Sequence, residues 1–314
     1  MPDAATPPSS PHMRRRLSPE AAAFYASHSA CSDPGDRAPL FAALPAEPRQ
    51  LALIVRGLVI HRGEGAMFDH AIDERRLHHD AETRYADAIL ALLADRDPAP
   101  LAAERTPSER FVGTCRDFTV LFCAFLRHAG VPARARVGFA DYFSPDGFGA
   151  DHWVAEYWTA DRGWRLGDAQ AIQGWQIDFD AMDVPRDRFR VAGDVWRAYR
   201  AGEVDPNRFG VDLGPDARIT GPLEIAVDVV KDLAALNKVE ALPWDGWGAT
   251  ELPLGAAVEG DLAAVLDRAA AACADDAPLD PARRLFVNTP ALRTPPVITS
   301  HTAFLGNREV ALRS

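Results

Sequence analysis

The sequence predicts an α+β protein in which a thiol-bearing helix packs on an antiparallel sheet. Three observations predict it. Thr114-x-x-Asp117 stands directly before the apolar run Phe118-Thr119-Val120-Leu121-Phe122, the pattern of a capping box at a helix start. Residues 152–158 and 164–168 are strand-like runs flanking Thr159-Ala160-Asp161-Arg162-Gly163, a five-residue loop with glycine that reads as a hairpin turn. Residues 133–139 alternate small or apolar residues with charged ones, as a half-exposed strand would.

The capping box places Cys115 in the first turn of its helix, and Gly130 followed by Pro132 stops that helix. Its apolar residues (Phe118, Leu121, Phe122, Cys123, Phe125, Leu126) run almost all round, so it is expected to be central and buried. A thiol attacks a carbonyl as thiolate, so its pKa must be lowered. The free N–H groups and dipole of a helix N-terminus favour negative charge. A neighbouring imidazole takes the proton and returns it to the leaving group. A third group, usually a carboxylate or amide, fixes that imidazole's tautomer. In the hairpin, pairing Trp158 with Trp164 sets Val154 opposite Asp168. His152 and Asp168 then share a face as diagonal neighbours about 7–8 Å apart at the backbone. A one-residue slip would separate them.

Gly113-Thr114-Cys115-Arg116-Asp117-Phe118, then His152-Trp153-Val154-x-Glu156, then Trp164-x-x-x-Asp168, resembles the core of the transglutaminase-like superfamily, of papain-like fold. The resemblance spans roughly residues 105–172. It implies Cys115 as nucleophile, His152 as base and acid, and Asp168 as the group that orients His152. It does not choose among members that hydrolyse amides, members that transfer acyl groups to amines, and members that have lost activity. Arylamine N-acetyltransferases share the Cys–His–Asp order but show an Arg-Gly-Gly-x-Cys signature. Phe111-Val112-Gly113-Thr114-Cys115 departs from it.

Composition bounds the rest. The chain has 314 residues, 47% hydrophobic and 25% charged, with a formal charge of −11. That balance is ordinary for a soluble globular protein and argues against nucleic acid or an anionic membrane as partner. Four scattered cysteines (Cys31, Cys115, Cys123, Cys273) show neither metal-ligand nor disulfide spacing, so a reducing, cytoplasmic setting is expected. Arg14-Arg15-Arg16 is not followed by an apolar segment, unlike a signal peptide. No apolar run is long enough to span a membrane.

Along the chain, residues 1–16, rich in Pro and Ser, read as a disordered tail. Residues 17–100 read as an N-terminal helical part. Ser18-Pro19-Glu20 starts a first helix, and Leu51, Ile54, Val55 and Leu58 mark a second, running to His61. Asp80 is expected to cap a third. His61, His70, His78 and His79 lie between these last two without a recognised ligand motif, so no metal is expected. Residues 101–172 form the expected catalytic core, opened by Thr106-Pro107-Ser108-Glu109 as the box of a short helix. Residues 141–150 form a loop leading to His152 and read as a substrate lip. Tyr142, Asp151 and Trp153 are the candidate substrate-binding residues. Glu156 shares the His152 face and reads as a solvated or ion-paired strand residue.

Residues 173–314 read as an extension packed on the core. It has a charged, loop-rich stretch at 178–190 and a helix opened by Gly221-Pro222. Trp244 and Trp247 are expected to cover the core. Asp261 is expected to cap a last helix, and an extended, Pro-rich tail follows Ala274. The combined expectation is cysteine-based acyl chemistry through an acyl-thioester, with no metal or other cofactor. Hydrolysis of an amide or peptide is the first reading and transfer to an amine acceptor the second. A scaffold that kept the fold and lost the reaction is the third. The substrate is expected to be a small-molecule, peptide or protein acyl compound, with donor and acceptor left open.

Overall fold

The computed structural model describes residues 16–214, 217–275, 277–302 and 304–313. Of the expected N-terminal tail, residues 1–15 lie outside the described residues. The chain opens with α1 (Pro19–Ala26), α2 (Pro48–Leu58), β1 (Val59–His61), α3 (Glu74–His79), α4 (Ala86–Arg96) and β2 (Phe111–Gly113). The Ser18 side chain caps α1, accepting from the Ala21 N–H at 3.2 Å. The expected helix through His61 ends instead at Leu58. β-Branched Val59 and Ile60 leave the helix and pair in parallel with β2, so that His61 lies opposite Gly113. Nor does Asp80 cap the start of α4; it stands instead at the C-terminal end of α3. Its carboxylate accepts from Arg96 Nη2 at 2.7 Å and from the Val112 N–H at 3.1 Å, and α4 starts only at Ala86. The Thr106 box forms its bond, Thr106 N–H to Glu109 Oε2 at 2.8 Å, yet closes only a turn. Four residues before β2 are too few to offset the cost of nucleating a helix.

The central part is α5 (Cys115–His128), β3 (Ala133–Ala140), β4 (Gly149–Thr159) and β5 (Gly163–Gly167). After it come β6 (Phe189–Val191), α6 (Ala192–Arg200), β7 (Phe209–Asp212), β8 (Arg218–Thr220), α7 (Pro222–Leu236) and β9 (Asp245–Gly246). α8 (Gly260–Ala272), α9 (Leu279–Asn288), β10 (Val297–Thr302) and β11 (Gly306–Ala311) follow. The fold is α+β. The main sheet runs β6-β3-β4-β7-β8, with β5 also pairing β4. The hairpin register is the one the sequence predicts, Trp158 opposite Trp164 and Ala155 opposite Gly167. One edge of β4 is therefore shared. β5 covers residues 155–159, β7 covers residues 149–150, and the stretch between them carries no strand on that edge.

α5 packs on β4 and β3 and joins α2 and α4 in one core with Leu51, Val55, Ile89, Phe118, Leu121 and Phe125. A second core gathers α6 to α9 around Trp196, Val229, Leu233, Leu266 and Phe286. Trp247 is buried in this second core as cover, its indole N–H donating to the Leu292 carbonyl at 3.2 Å. Beyond Ala274 the chain is not extended, as its prolines suggest. It forms α9 and the β10–β11 hairpin. The charged stretch before residue 190 ends in β6, which pairs with β3. A Cβ on Gly138 would come within 2.2 Å of the Arg190 carbonyl, so only glycine admits β6 at that point. Among the described residues no helix is long and apolar enough to cross a membrane.

β3 is not half-exposed but buried along its whole length. Its two arginines find carboxylates inside the protein. Arg134 Nε meets Glu156 Oε2 at 2.6 Å, Arg136 Nη1 meets the same oxygen at 3.1 Å, and Arg136 Nη2 meets Asp232 Oδ2 of α7 at 2.9 Å. Burial pushes the Glu156 carboxyl up, but the Arg134, Arg136 and Arg186 charges outweigh it and hold it well below the usual range. A depressed carboxyl stabilises the fold above its unfolded pKa, and that stability is lost as pH falls through the folded one. Glu156→Ala leaves buried guanidinium groups without their carboxylate and is expected to cost about 3–5 kcal/mol. Arg162→Ala, which breaks an exposed pair with Asp183, is expected to cost under about 1 kcal/mol. Urea midpoints of the two variants check the contrast.

Candidate active site

Cys115 sits where the capping box predicts it. Asp117 Oδ2 accepts from the Thr114 N–H at 2.8 Å and from the Thr114 hydroxyl at 3.2 Å. Arg116, the next residue, is fully buried. Its guanidinium reaches Asp117 Oδ1 at 3.0 Å, the Arg84 carbonyl at 2.6 Å and the Glu240 carbonyl at 2.9 Å. The first turn of α5 is thus fixed from both sides. Cys115 packs with Trp153 of β4, and the backbone N–H groups of Trp153 and Arg116 act to lower the thiol pKa.

His152 and Asp168 meet as the register requires, Nε2 to Oδ2 at 2.9 Å, with 2% and 1% of each residue exposed. Asp168 has more partners than the sequence suggested. Its Oδ1 accepts from the N–H groups of Gln170 (2.8 Å) and Ala171 (3.1 Å). Its Oδ2 also accepts from the Tyr142 hydroxyl at 2.7 Å. Burial pushes this carboxyl up, yet the charge and hydrogen bond of His152 and the bonds from Tyr142 and Ala171 hold it below the usual range. A carboxylate accepts, so the His152 proton is assigned to Nε2 and its Nδ1 lone pair is the basic one.

The candidate substrate residues have different surroundings. Tyr142 belongs to the loop before His152, but its hydroxyl is spent on Asp168. Its neighbour Phe143 packs edge-on against His152, ring centroids 4.7 Å apart, and against Trp175 at 4.6 Å. Trp153 is buried with Cys115, Val137 and Ala235, and its indole N–H has no partner among the described residues. Asp151 brings a carboxylate whose Oδ1 is buried and without a partner. Burial raises its pKa, and Asp228 of α7 shares a hydrogen bond with it. Asp228 itself is pushed well above the usual range, by burial first and the Asp151 charge second. Sequence reasoning passed over Asp228; the signal was the charged series Glu224, Asp228, Lys231 and Asp232 at helical spacing on one face of a helix that is apolar elsewhere.

The thiol differs from expectation. Burial pushes Cys115 well above the usual thiol range and the Asp151 carboxylate adds to it, against the two backbone N–H groups. Cys115 is therefore a thiol at rest, and the Nε2 proton of His152 faces Asp168. A thiol and an imidazole in contact can attack a carbonyl by passing the thiol proton to the ring as the bond forms. The N–H of Cys115, in the first turn, has no intrahelical acceptor and suits an oxyanion. Among the described residues no group of three or more His, Cys, Asp or Glu side chains could hold a metal ion. A cavity of about 310 Å³ lined by Cys31, Arg84, Tyr85 and Glu240 does not reach Cys115.

Residues 78–169 match the family model described as the Transglutaminase-like superfamily. No curated protein matches the chain. Among solved structures, a Cytophaga hutchinsonii protein provisionally described as a cysteine protease is similar at 16% identity and a TM-score of 0.34. The similarity covers 56% of this chain and 46% of that one, so less than half of that protein's length is spanned.

With its pKa raised, Cys115 is expected to react with iodoacetamide at a rate still climbing at pH 9. A plateau reached near neutral pH would show a preformed thiolate–imidazolium pair instead. Asp151→Asn removes the largest charge opposing the thiolate. It is expected to speed alkylation of Cys115 at pH 8 by roughly threefold to tenfold. Peptide mapping by mass spectrometry reads both results.

Proposed function

From a chain that carries a transglutaminase-like core, we propose a cysteine-nucleophile enzyme that forms an acyl-thioester on Cys115 and hydrolyses an amide or peptide bond. The observation that carries this reading is the 2.9 Å contact between His152 Nε2 and Asp168 Oδ2 beside a capped, thiol-bearing helix start. Cys115 Sγ attacks the carbonyl carbon while His152 Nδ1 takes its proton. The carbonyl π pair moves to oxygen, which first-turn N–H groups of α5 receive. As the C–N bond breaks, His152 returns the proton to the leaving amine. Water, deprotonated by His152, then attacks the thioester and releases the acid and the thiol. Asp168 holds the ring and offsets its charge, and Tyr142 holds Asp168.

A second reading has an amine in place of water, giving an amide. It is favoured by the aromatic enclosure: Tyr142, Phe143 and Phe189 pack edge-on around a His152 that is 2% exposed, and a walled site discriminates against water.

Cys115→Ser is expected to abolish formation of a covalent adduct with an activated acyl ester, read by intact mass. His152→Ala is expected to lower its rate by about 10²–10⁴-fold. Adduct formation that survives Cys115→Ser would end this proposal. With a primary amine added, an amide product in place of free acid identifies transfer.

A further inference from the structure

His61 stands outside the Cys–His–Asp set, yet the fold delivers it to the same place. β1 runs parallel to β2, with His61 directly across from Gly113, two residues before Cys115. Side chains alternate along a strand, so Val59 and His61 share a face. Val59 packs into the core that contains Phe118 and Leu121 of α5. One step further along the strand, His61 faces the start of that helix. The position across from it carries no side chain, because a Cβ on Gly113 would meet Asp117 Oδ2 at 2.8 Å. His61 also lies within electrostatic reach of His152, whose charge lowers its pKa.

The ring has a fixed tautomer. Its Nδ1 accepts from the Gly63 N–H at 3.1 Å, which leaves the proton of the neutral ring on Nε2. The strand end is held by Glu64. Its Oε2 accepts from the His61 N–H at 3.2 Å and from Arg56 Nη1 at 2.6 Å. Its Oε1 accepts from Gln170 Nε2 at 3.0 Å and from Trp175 Nε1 at 2.9 Å. Gln170 lies two residues after Asp168, so Glu64 joins the His61 turn to the loop that holds Asp168.

From the register with Gly113, the shared face with Val59 and the Nδ1 bond to Gly63, we infer that His61 is a further catalytic residue, donating its Nε2–H to the oxyanion that forms when Cys115 attacks. This rests on the acyl chemistry proposed for Cys115. As the S–C bond forms, the carbonyl π pair moves to oxygen and the thiol proton moves to His152. His61 transfers nothing; it gives a hydrogen bond that strengthens as the oxygen becomes charged. Burial outweighs Glu64, and with His152, Arg62 and Arg56 lowers the His61 pKa to about 4. The ring is therefore a neutral donor at neutral pH, and it does not compete with His152 for the thiol proton.

Two reagents separate the roles, because p-nitrophenyl acetate acylates through an oxyanion and iodoacetamide alkylates without one. In the full-length protein, His61→Ala is expected to slow acylation of Cys115 by p-nitrophenyl acetate about 100-fold. Alkylation by iodoacetamide should stay within about twofold of the parent, the spread expected when thiolate ionisation is untouched. His61→Gln, which keeps an N–H donor, is expected to recover part of the acylation rate. An unchanged acylation rate in His61→Ala overturns the inference. So does an equal loss with both reagents, which would place His61 in thiol ionisation or folding. Nitrogen-correlated NMR adds a check on the parent protein: Nδ1–H on His61 at pH 7 overturns the assignment. Failure of the underlying acyl chemistry looks different, because acylation would then persist in Cys115→Ser.

Discussion

A cation with no exposed surface ties the start of α5 to the rest of the molecule. Arg116 is bonded to its neighbour Asp117, to a carbonyl at Arg84 before the core, and to a carbonyl at Glu240 beyond α7. Removing a guanidinium from water costs several kcal/mol unless its donors are matched. Here they are matched by one carboxylate oxygen and two main-chain carbonyls. Asp117 spends its other oxygen on the Thr114 N–H. Segments some 160 residues apart in sequence (Arg84 and Glu240 being the outer two) thus converge on one turn, the turn that carries the thiol.

Fixing that turn has an electrostatic consequence. A helix N-terminus favours an anion by about 0.3–1 kcal/mol, up to about 2 in buried geometry. Burying a thiolate costs more, and the Asp151 carboxylate opposes it further. Burial wins, and the sulfur rests as a thiol. In the acyl chemistry proposed for Cys115, the helix start and the Trp153 N–H act mainly on the charge that develops during attack, as the proton moves to His152. A thiol held in this state resists alkylating and oxidising agents, since these react with thiolate.

What the sequence shows and what it hides divide by range. The capping box at Thr114–Asp117, the glycine stop and the hairpin register are local, and each was legible. With them came the meeting of His152 and Asp168, because a pleat of period two leaves little freedom once Trp158 faces Trp164. The buried arginines of β3 were misread as a solvated face. Alternation of charge signals exposure only if no carboxylate waits inside, and Asp232 waits on a helix about 95 residues away. Val59–His61 was misread for a like reason. Three residues extend a helical pattern plausibly, and only the partner strand at residues 111–113 shows that they form a ladder. The C-terminal hairpin and α9 carry prolines at their borders, and these masked the short elements between.

The two histidines proposed to serve Cys115 would be redundant if their rings were equivalent. Their partners make them different. Asp168 is held by Tyr142 and by two backbone N–H groups, so one oxygen is turned to His152 and can only accept. That puts the His152 proton on Nε2, leaves Nδ1 basic, and gives a charged ring a carboxylate to rest against. At His61 the partner is a backbone donor, the Gly63 N–H, and it occupies Nδ1. The proton again lies on Nε2, but here no carboxylate receives it, and burial opposes a second proton. In the proposed chemistry the same side chain is a base where its neighbour accepts and a fixed donor where its neighbour donates. Division of labour between identical residues is therefore set by single hydrogen bonds on the far side of each ring.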